Sequence, residues 1–339
     1  MRIVLDAMGS DMHPDPELQA ALQAFQLWSE PVILTGPQVE LRAKLQALGA
    51  DLNKVELVDA PEVLEMTDKP ARAARGKAQN SMAVGMDLIK EGRADAFVTA
   101  GNTGGAMANA LFRLGRIRGV KRPPLAGTVP VRGGQAVVLD IGANADCRPE
   151  YLFQFAILGS VYAAKVLGKD NPRVALLSNG EEAGKGSTLV KEAFALLENA
   201  GVNFIGNVEP KELFAGAADV VVTDGFTGNI LIKGSEAVAS FLTEIIRVQI
   251  KASPLTAVGG LLAKPAFRRV GKVLDPAEYG AAPLLGIAGL VFVGHGRSDA
   301  RALVSALRVA RQAVSEGLLE AMAGAIQSRL AFASAAGNE

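Results

Sequence analysis

The chain alternates short apolar runs with longer segments of helical period along most of its length. Most of the apolar runs are continuous and rich in Val, Ile and Leu, which is typical of strands covered by helices on both faces. Between them, apolar residues recur at helical spacing, for example over 16–28, 39–48 and 188–199. The predicted strands lie in RIVLDAMG, PVILTG, KVELVDAP, DAFVTAG, AVVLDIGAN, RVALLSNG, DVVVTDG and GLVFVG.

This alternation of strands and helices predicts an α/β fold with a doubly wound, mostly parallel sheet. No Pro/Ser-rich linker or low-complexity segment divides residues 1–339. We therefore expect a single α/β body, either in one piece or as two fused lobes.

One region, 235–272, breaks the rhythm, because a helical pattern interrupted at Pro254 continues there without a strand. We expect it to form a helical excursion from the sheet. Its first half has a wide apolar stripe, which suits either a buried core helix or a face that binds a second copy of the chain. The stripe consists of Val238, Phe241, Leu242, Ile245 and Ile246.

The composition narrows the classes of protein and site. The chain is 49% hydrophobic and 21% charged with a formal net charge of zero, so it has no whole-molecule attraction to nucleic acid or lipid. One cysteine and two histidines exclude a disulfide framework, a multi-thiolate zinc site and a three-His metal site. We expect no nucleic-acid partner.

The location of the protein is also constrained by its apolar segments. The amino-terminal stretch MRIVLDAMGSD reaches aspartate at position 6, before a signal peptide could form its apolar core. The longest apolar stretch, 281–294, is shorter than the about 20 residues that span a bilayer, and we expect it to be buried core. A cytosolic protein that does not cross a membrane is predicted.

Glycine-rich polar loops follow four of the predicted strands. Ligands of open α/β sheets bind at the carboxyl ends of the strands, where glycine permits close approach and amide N–H groups cradle anions. A tight turn with a polar cap is the alternative for any single loop, but four such loops predict a phosphate site. Its candidate residues are Gly101, Asn102, Thr103, Gly104, Asn144, Asn179, Gly180, Ser187 and Thr227.

The loop in LLSNGEEAGKGS, 176–187, resembles a P-loop but departs from its spacing. Gly180 and Gly184 are one residue too close, and Gly186 separates Lys185 from Ser187. The magnesium-binding Ser/Thr of a P-loop must follow the lysine directly. The first strand is followed by DAMGSD and not by a dinucleotide fingerprint. The loop is therefore predicted to bind a phosphate that is not part of ATP.

Eight motifs in order closely resemble the bacterial phosphate acyltransferase family of phospholipid synthesis, over nearly the whole chain. The departures are small, with Ser10 and Ala281 where the family usually has glycine. The motifs are DAMGSD (6–11), AGNTGG (100–105), RPPLAGTVP (122–130), LDIGANAD (139–146), LLSNGEEAGKGS (176–187), TDGFTGNILIK (223–233), YGAAPLLG (279–286) and GHGRSDARA (294–302).

The resemblance implies a reversible transfer of a long-chain acyl group from acyl carrier protein to inorganic phosphate, with no cofactor. It implies a fold related to phosphotransacetylases and to the isocitrate-dehydrogenase type of sheet. It also implies a homodimer, a cytoplasmic location with peripheral membrane association, and delivery of the acyl phosphate to a membrane-bound glycerol-3-phosphate acyltransferase.

This chemistry requires few protein groups, because phosphate is itself the nucleophile and a thiol leaves readily. Lys185 is predicted to neutralise phosphate or stabilise the tetrahedral intermediate, and the resemblance points to it as well. Asp224 is expected to orient Lys185, accept a proton or cap a helix. Asn229 is a candidate hydrogen-bond donor, and His295 a candidate to protonate the leaving thiol. Nothing in the reaction needs a metal, so none is expected.

Two surfaces are predicted to receive partners. The basic segment RLGRIRGVKR, 113–122, is a candidate docking site for an acidic carrier protein through Arg113, Arg116, Arg118 and Arg122. In the helical excursion, apolar residues lie beside cations such as Lys264 and Arg268, which suits contact with an anionic membrane surface. The apolar residues of this candidate surface are Leu255, Val258, Leu261 and Leu262.

Three alternatives remain at this point. A short-chain phosphotransacetylase that uses coenzyme A would share the loops, but it needs an adenine-nucleotide pocket in place of an acyl tunnel. An NAD-dependent decarboxylating dehydrogenase of similar fold would depend on a metal. A non-catalytic acyl- or phosphate-binding module would use the same loops without turnover.

Overall fold

The computed structural model describes residues 1–336, except for the side chains of residues 276 and 330–336. The described strands, in chain order, are β1 Ile3–Asp6, β2 Val32–Gly36, β3 Val55–Asp59, β4 Ala96–Thr99, β5 Ala126–Val131, β6 Gly134–Leu139, β7 Arg173–Leu177, β8 Asn203–Val208, β9 Val220–Val222, β10 Ala282–Pro283 and β11 Leu290–Val293. Every strand predicted from the apolar runs is present, and β5, β8 and β10 are additional.

The helices alternate with these strands as the sequence predicts. They are α1 Asp15–Trp28, α2 Gln38–Ala47, α3 Pro70–Gly76, α4 Ser81–Lys90, α5 Thr103–Arg113, α6 Pro149–Lys165, α7 Thr188–Leu197, α8 Pro210–Ala215, α9 Gly225–Lys251, α10 Pro254–Leu274, α11 Ala300–Ser315 and α12 Leu318–Ala336. Short 3-10 helices occupy Leu52–Lys54 and Pro276–Glu278.

The strands form two sheets that are mostly parallel. The first has the order β10-β11-β4-β1-β2-β3, and the second has the order β5-β6-β9-β7-β8. The antiparallel strands, β10 and β5, each lie at a sheet edge. These two edges meet at an isolated antiparallel bridge between Leu125 and Leu284. The predicted mostly parallel α/β architecture is confirmed.

Helices cover both faces of each sheet. Ile3 and Leu5 of β1 belong to a core cluster that includes α1 and α11, whereas Val4 belongs to a cluster with Met82 and Met86 of α4. Leu139 of β6 lies in the same cluster as Leu5, so one layer of core runs beneath both sheets. Strands buried on two faces are apolar throughout, which is why continuous apolar runs predicted them correctly.

Helices α9 and α10 form a hairpin that leaves the body of the protein. In α9 only Gly225 and Gly228 are buried, and α10 has no buried residue among those described. The two helices cross closely, because a Cβ at Gly260 would overlap Ile250. Ser253 begins α10 with a capping box. The predicted helical excursion is present, but α9 starts at Gly225, ten residues before the predicted start at 235.

The apolar stripe of α9 is not a core face. Val238, Phe241, Leu242, Ile245 and Ile246 are all exposed. The buried-helix interpretation of the stripe is therefore wrong for this chain. No helix among the described residues combines the length and the apolar character needed to cross a bilayer.

Candidate functional site

Three of the predicted loops leave the second sheet from one row of residues. Strand register aligns Leu139 of β6 and Leu176 of β7 with Val222 of β9, which lies between them. Since neighbouring strands are about 4.8 Å apart, the three strand ends lie within about 10 Å. The loops that follow are 140–146, 178–187 and 223–227, so tertiary structure brings together segments that are far apart in sequence.

The loop after β6 is built around the buried carboxylate of Asp140. Oδ1 accepts hydrogen bonds from the backbone N–H groups of Leu125, Gly142 and Ala143 at 2.9–3.1 Å. Oδ2 accepts one from the backbone N–H of Asn144 at 2.7 Å and one from its side chain at 2.8 Å. Burial raises the pKa of Asp140, and these donors oppose that shift by stabilising the anion. Asp140 thus joins β5 to the loop after β6.

Asn144 has a different role from the predicted one. Its side-chain amide donates to Asp140 and to the backbone O of Pro123 at 2.9 Å. Both N–H groups are therefore used inside the protein, and neither is left for a phosphate. Prediction from loop composition missed this because Asn serves both as a ligand donor and as a turn former. The structure makes Asn144 a positioning residue of the loop.

The loop after β9 begins helix α9. Asp224 caps the helix, accepting from the backbone N–H of Thr227 and from its hydroxyl, both at 2.8 Å. Gly228 lies against Asp140, because a Cβ there would overlap the backbone O of Asp140. Asn229 lies beside the loop after β6, its Oδ1 3.7 Å from the position that a Cβ on Gly142 would take. Of the three roles predicted for Asp224, the structure shows the helix cap.

The loop after β7 carries Lys185 at the protein surface. Asn179 Oδ1 accepts a hydrogen bond from the backbone N–H of Gly186 at 3.0 Å, and Gly186 has a φ of 95°. Ser187 caps helix α7, accepting from Val190. Lys185 is exposed, and its aliphatic stem lies over Gly180. The loop is a turn closed by Asn179, with the lysine presented to solvent.

Two buried polar atoms under this loop were not anticipated. Ser178 Oγ and Asn207 Oδ1 have no hydrogen-bond partner among the described protein atoms. The Asn207 amide donates to the backbone O of Glu182 at 2.9 Å, which ties the loop to β8. Asn207 lies in a strand that the apolar pattern did not predict, so the sequence offered no signal for it.

The first sheet contributes the loops after β4 and β11, which are adjacent because Thr99 pairs with Val293. Asn102 caps α5, accepting from the backbone N–H of Gly105 at 3.0 Å, and its side chain donates to the backbone O of Met66 at 3.0 Å. His295 is exposed, with Nε2 3.8 Å from Oε1 of Glu236 on α9. The helix hairpin and the first sheet therefore face each other at this point.

An apolar cavity of about 520 Å³ lies between these elements. Thr103 and His295 line it from the first sheet, and Ile141 lines it from the loop after β6. Helix α9 contributes Ile232, Ser235, Glu236 and Ala239. The cavity thus brings together predicted residues from two loops of the first sheet. Lys185 and Asn179 do not line it, because their loop lies beyond β9 in the sheet order.

The predicted carrier-docking residues differ in exposure. Arg113 forms a salt bridge with Asp87 at 2.8 Å and donates to the backbone O of Ala78 at 2.6 Å, so its charge is already paired. Arg116, Arg118 and Arg122 are exposed, and Arg116 donates to the backbone O of Lys121. The exposed part of the predicted basic surface is therefore 116–122, and Arg113 contributes little net charge to it.

Cysteine chemistry does not fit this site. Burial raises the pKa of Cys147 to about 12, so the thiol is protonated at neutral pH and is a poor nucleophile. Its Sγ donates to the backbone O of Asn144 at 3.5 Å. Among residues 1–336, no group of three or more His, Cys, Asp or Glu side chains is arranged to hold a metal ion.

The sequence is similar to those of proteins named phosphate acyltransferase. A relative from Elusimicrobium minutum (strain Pei191), named phosphate acyltransferase, is 46% identical over 320 residues and covers 94% of each chain. Another phosphate acyltransferase, from Pelotomaculum thermopropionicum, is 45% identical over 328 residues, covering 97% of this chain and 96% of the relative.

Solved structures show the same fold at low identity. A phosphotransacetylase from Streptococcus pyogenes has a TM-score of 0.64 at 17% identity, covering 93% of this chain and 94% of its own. A branched-chain phosphotransacylase from Enterococcus faecalis V583 has a TM-score of 0.57 at 17% identity, and the match covers 93% of this chain and 99% of that protein's chain. The predicted likeness to phosphotransacetylases is confirmed as a likeness of fold.

The model of one family, described as fatty acid synthesis protein, matches residues 1–321. Together with the relatives above 40% identity, this match confirms the resemblance and the acyltransferase class predicted from the motifs. The chain belongs to the fatty acid synthesis protein family.

Proposed function

We propose that this chain transfers a long-chain acyl group from acyl carrier protein to inorganic phosphate and so produces an acyl phosphate. The observation that carries the proposal is the meeting, at one edge of the fold, of glycine-rich strand-end loops and an apolar cavity of about 520 Å³. Loops of this kind suit a phosphate, and the cavity suits an acyl chain. The relatives' name, phosphate acyltransferase, supports the transfer of an acyl group to phosphate.

The reaction needs positioning more than activation. A phosphate oxygen attacks the thioester carbonyl carbon and forms a C–O bond. The C–S bond then breaks, and the sulfur leaves with the electron pair and takes up a proton. A tetrahedral oxyanion forms between these steps, so a nearby positive charge and amide N–H groups lower the barrier. The strand-end loops provide backbone N–H groups and an exposed lysine. The reaction requires no protein nucleophile, because phosphate itself attacks the carbonyl carbon.

Lys185 supplies the positive charge in this proposal. Its exposed position on the loop after β7 leaves it accessible to an anion that enters from solvent. His295, at the cavity and 3.8 Å from Glu236, supplies the proton to the departing sulfur. Asn229, beside Gly142, remains a candidate donor to the phosphate.

In this proposal, each partner binds a different part of the surface. Segment 116–122 receives the acidic carrier protein, and the stripe of α9 binds a second copy of the chain. The apolar residues near the tip of the hairpin, including Leu255 and Leu262 at 83% and 78% exposure, rest on an anionic membrane surface. Contact with the membrane places the product beside a membrane-bound glycerol-3-phosphate acyltransferase. The cytoplasmic enzyme and the membrane-bound acyltransferase then meet at the bilayer surface.

A direct assay tests the reaction. The full chain is incubated with hexadecanoyl carrier protein and phosphate, and release of the carrier thiol is followed together with hydroxylamine trapping of acyl phosphate. We expect both signals to require phosphate and to fall to background with sulfate in its place. Parallel reactions contain acetyl coenzyme A, or isocitrate with NAD.

The outcomes separate the alternatives. Turnover confined to acetyl coenzyme A would favour a short-chain phosphotransacetylase, and nicotinamide reduction would favour a dehydrogenase. Binding of acyl carrier protein without any phosphate-dependent product would favour a non-catalytic module. Each of these results would overturn the proposed function.

A further inference from the structure

The cavity occupies the split between the two sheets. β5 and the segment 280–284, which contains β10, run antiparallel and are bridged just outside both strands, at Leu125 and Leu284. Continued along the chain, that register would place Gly127 opposite Ala282 and Val129 opposite Gly280. Among the described residues these pairs form no ladder, and all four line the cavity. The cavity therefore lies where β5 and the segment around β10 would otherwise pair as neighbouring strands.

The cavity extends along most of β5. Its lining begins at Leu125 and Ile141, at the strand-end edge, and continues to Val131 and Arg132, at the opposite edge. The seven residue steps from Leu125 to Arg132 span about 23 Å at the rise of an extended strand. An extended sixteen-carbon chain is about 19 Å long, given C–C bonds of about 1.5 Å. The dimensions match a long acyl chain.

The cavity lining is polar at one end and mostly apolar along the rest of its length. Thr103, Glu236 and His295 lie at the strand-end opening, beside the loops of the proposed phosphate site. Between the two ends of the cavity, the walls are formed mostly by apolar groups, including Ile232 and Ala239. Pro130 has no N–H to present at this edge of β5. An acyl thioester fits this lining if its thioester group lies at the polar end and its hydrocarbon chain lies along the apolar walls.

We propose that this cavity binds the acyl chain of the substrate, with the thioester at Thr103 and His295 and the methyl end toward Phe214. The proposal rests on the proposed function for the identity of the ligand. Its position follows from the cavity alone. Ala239 lies on the wall from α9, and Phe214 closes the far end beside Val131 and Arg132. These two side chains determine how long an acyl chain is accepted.

Two variants test the proposal in opposite directions. Ala239→Phe fills the cavity, and its matched control is Ala237→Phe, which places the same ring on an exposed position of the same helix that does not line the cavity. Phe214→Ala opens the far end. Turnover with phosphate is measured with octanoyl, hexadecanoyl and octadecanoyl carrier protein. Binding of the fluorescent fatty acid cis-parinaric acid to the full chain is measured separately.

We expect Ala239→Phe to lower kcat/KM at least tenfold for hexadecanoyl while changing it less than threefold for octanoyl, and to weaken cis-parinaric acid binding. Ala237→Phe should behave as the unchanged protein. Phe214→Ala should raise the octadecanoyl-to-hexadecanoyl ratio, a gain that misfolding cannot imitate. Equal effects on both chain lengths, or unchanged cis-parinaric acid binding in Ala239→Phe, would overturn the proposal. Binding that Ala239→Phe weakens, in a protein without phosphate-dependent turnover, would support the acyl site and contradict only the proposed function.

Discussion

At the scale of single residues, the polar side chains of the strand-end loops divide into two groups. Asn102, Asn144 and Asp224 complete turns and helix caps through hydrogen bonds within the protein. Lys185 and His295 are exposed instead. A loop that holds an anion needs both kinds, because a rigid backbone presents its N–H groups only if other side chains hold its shape.

Replacing Lys185 with alanine tests the charge assigned to it. We expect kcat/KM for acyl phosphate formation to fall about a hundredfold or more, the usual effect of removing one group that stabilises an oxyanion. The thermal midpoint should stay unchanged, because Lys185 is exposed. Lys191→Ala, an exposed lysine on the helix that follows the same loop, is the control and should retain full activity. Near-normal turnover of Lys185→Ala would remove the lysine from the mechanism.

Glu17 is a buried carboxyl whose titration links stability to pH. Burial raises its pKa from the ordinary 4.5 to about 7, although Oε1 accepts a hydrogen bond from the backbone N–H of Ser10 at 2.8 Å. The folded protein therefore keeps the Glu17 proton in a range where the unfolded chain has lost it. The free energy of unfolding then falls as the pH rises from 4.5 to about 7, with a change of about 3 kcal/mol.

The Glu17→Gln variant should lack this part of the pH dependence. Urea unfolding is measured at pH 5 and pH 8. Between these values, the free energy of unfolding of the variant should rise relative to that of the unchanged protein by about 2–3 kcal/mol. Glu40→Gln, which removes an exposed carboxyl, should keep the original slope. An identical slope in Glu17→Gln and the unchanged protein would mean that Glu17 is ionised in the fold at pH 5.

At the scale of elements, the position of α9 decides the shape of the site. The helix is capped by Asp224, begins at Gly225 and touches the loop after β6 through its first turn. Its next turns line the cavity through Ile232, Glu236 and Ala239, whereas residues 240–249 are exposed. The first half of the helix therefore belongs to the site and the cavity, and the second half to the hairpin surface. The predicted start at 235 missed the first ten residues, because the glycines at 225 and 228 weaken the helical pattern.

Gly228 is expected to be intolerant of any side chain. A Cβ there meets the backbone O of Asp140, which cannot rotate away, so Gly228→Ala should shift α9 and destabilise the protein by about 1–3 kcal/mol. Gly234→Ala is the matched control on the same helix, where a Cβ meets open space. It should stabilise the protein by about 0.5–1 kcal/mol, the ordinary effect of alanine in a helix. Chemical denaturation measures both, and equal stabilities would contradict the close contact.

The hairpin tip can be tested as a membrane surface. We expect the double variant Leu261→Glu, Leu262→Glu to lose flotation with liposomes that contain anionic lipid, since it replaces two exposed apolar residues with negative charges. The double variant Val39→Glu, Leu48→Glu is the control, because it makes the same chemical change at exposed positions on and just after α2. Unaltered flotation of the hairpin variant would exclude this surface as the anchor.

At the scale of the whole molecule, the net charge is zero, but positive charge is concentrated in local segments such as 116–122. The exposed arginines of 116–122 follow helix α5, whose other end carries Thr103 at the cavity. Eleven helical residues separate the two ends by about 16 Å. A carrier protein docked on 116–122 is thus one helix length from the proposed site of its thioester.

Reversing two of these charges tests the docking surface. Arg116→Glu with Arg118→Glu should raise KM for acyl carrier protein about three- to tenfold at low salt, with the difference shrinking as salt screens the charges. Arg42→Glu with Arg308→Glu, two exposed arginines elsewhere, should leave KM unchanged. If both double variants behave alike, the carrier binds at another surface.

The sequence by itself determined the strands buried on both faces, the glycine-rich loops at their ends and the family, because continuous apolar runs and short motifs are local features. It did not reveal β5, whose Gly127 and Pro130 weaken a strand pattern, and which is a strand because it pairs with β6. Only the tertiary structure decided that Asn144 faces inward, that the stripe of α9 is exposed, and that segments 125–132 and 279–282 separate to leave a cavity. These outcomes depend on distances between residues remote in sequence, which local periodicity does not encode.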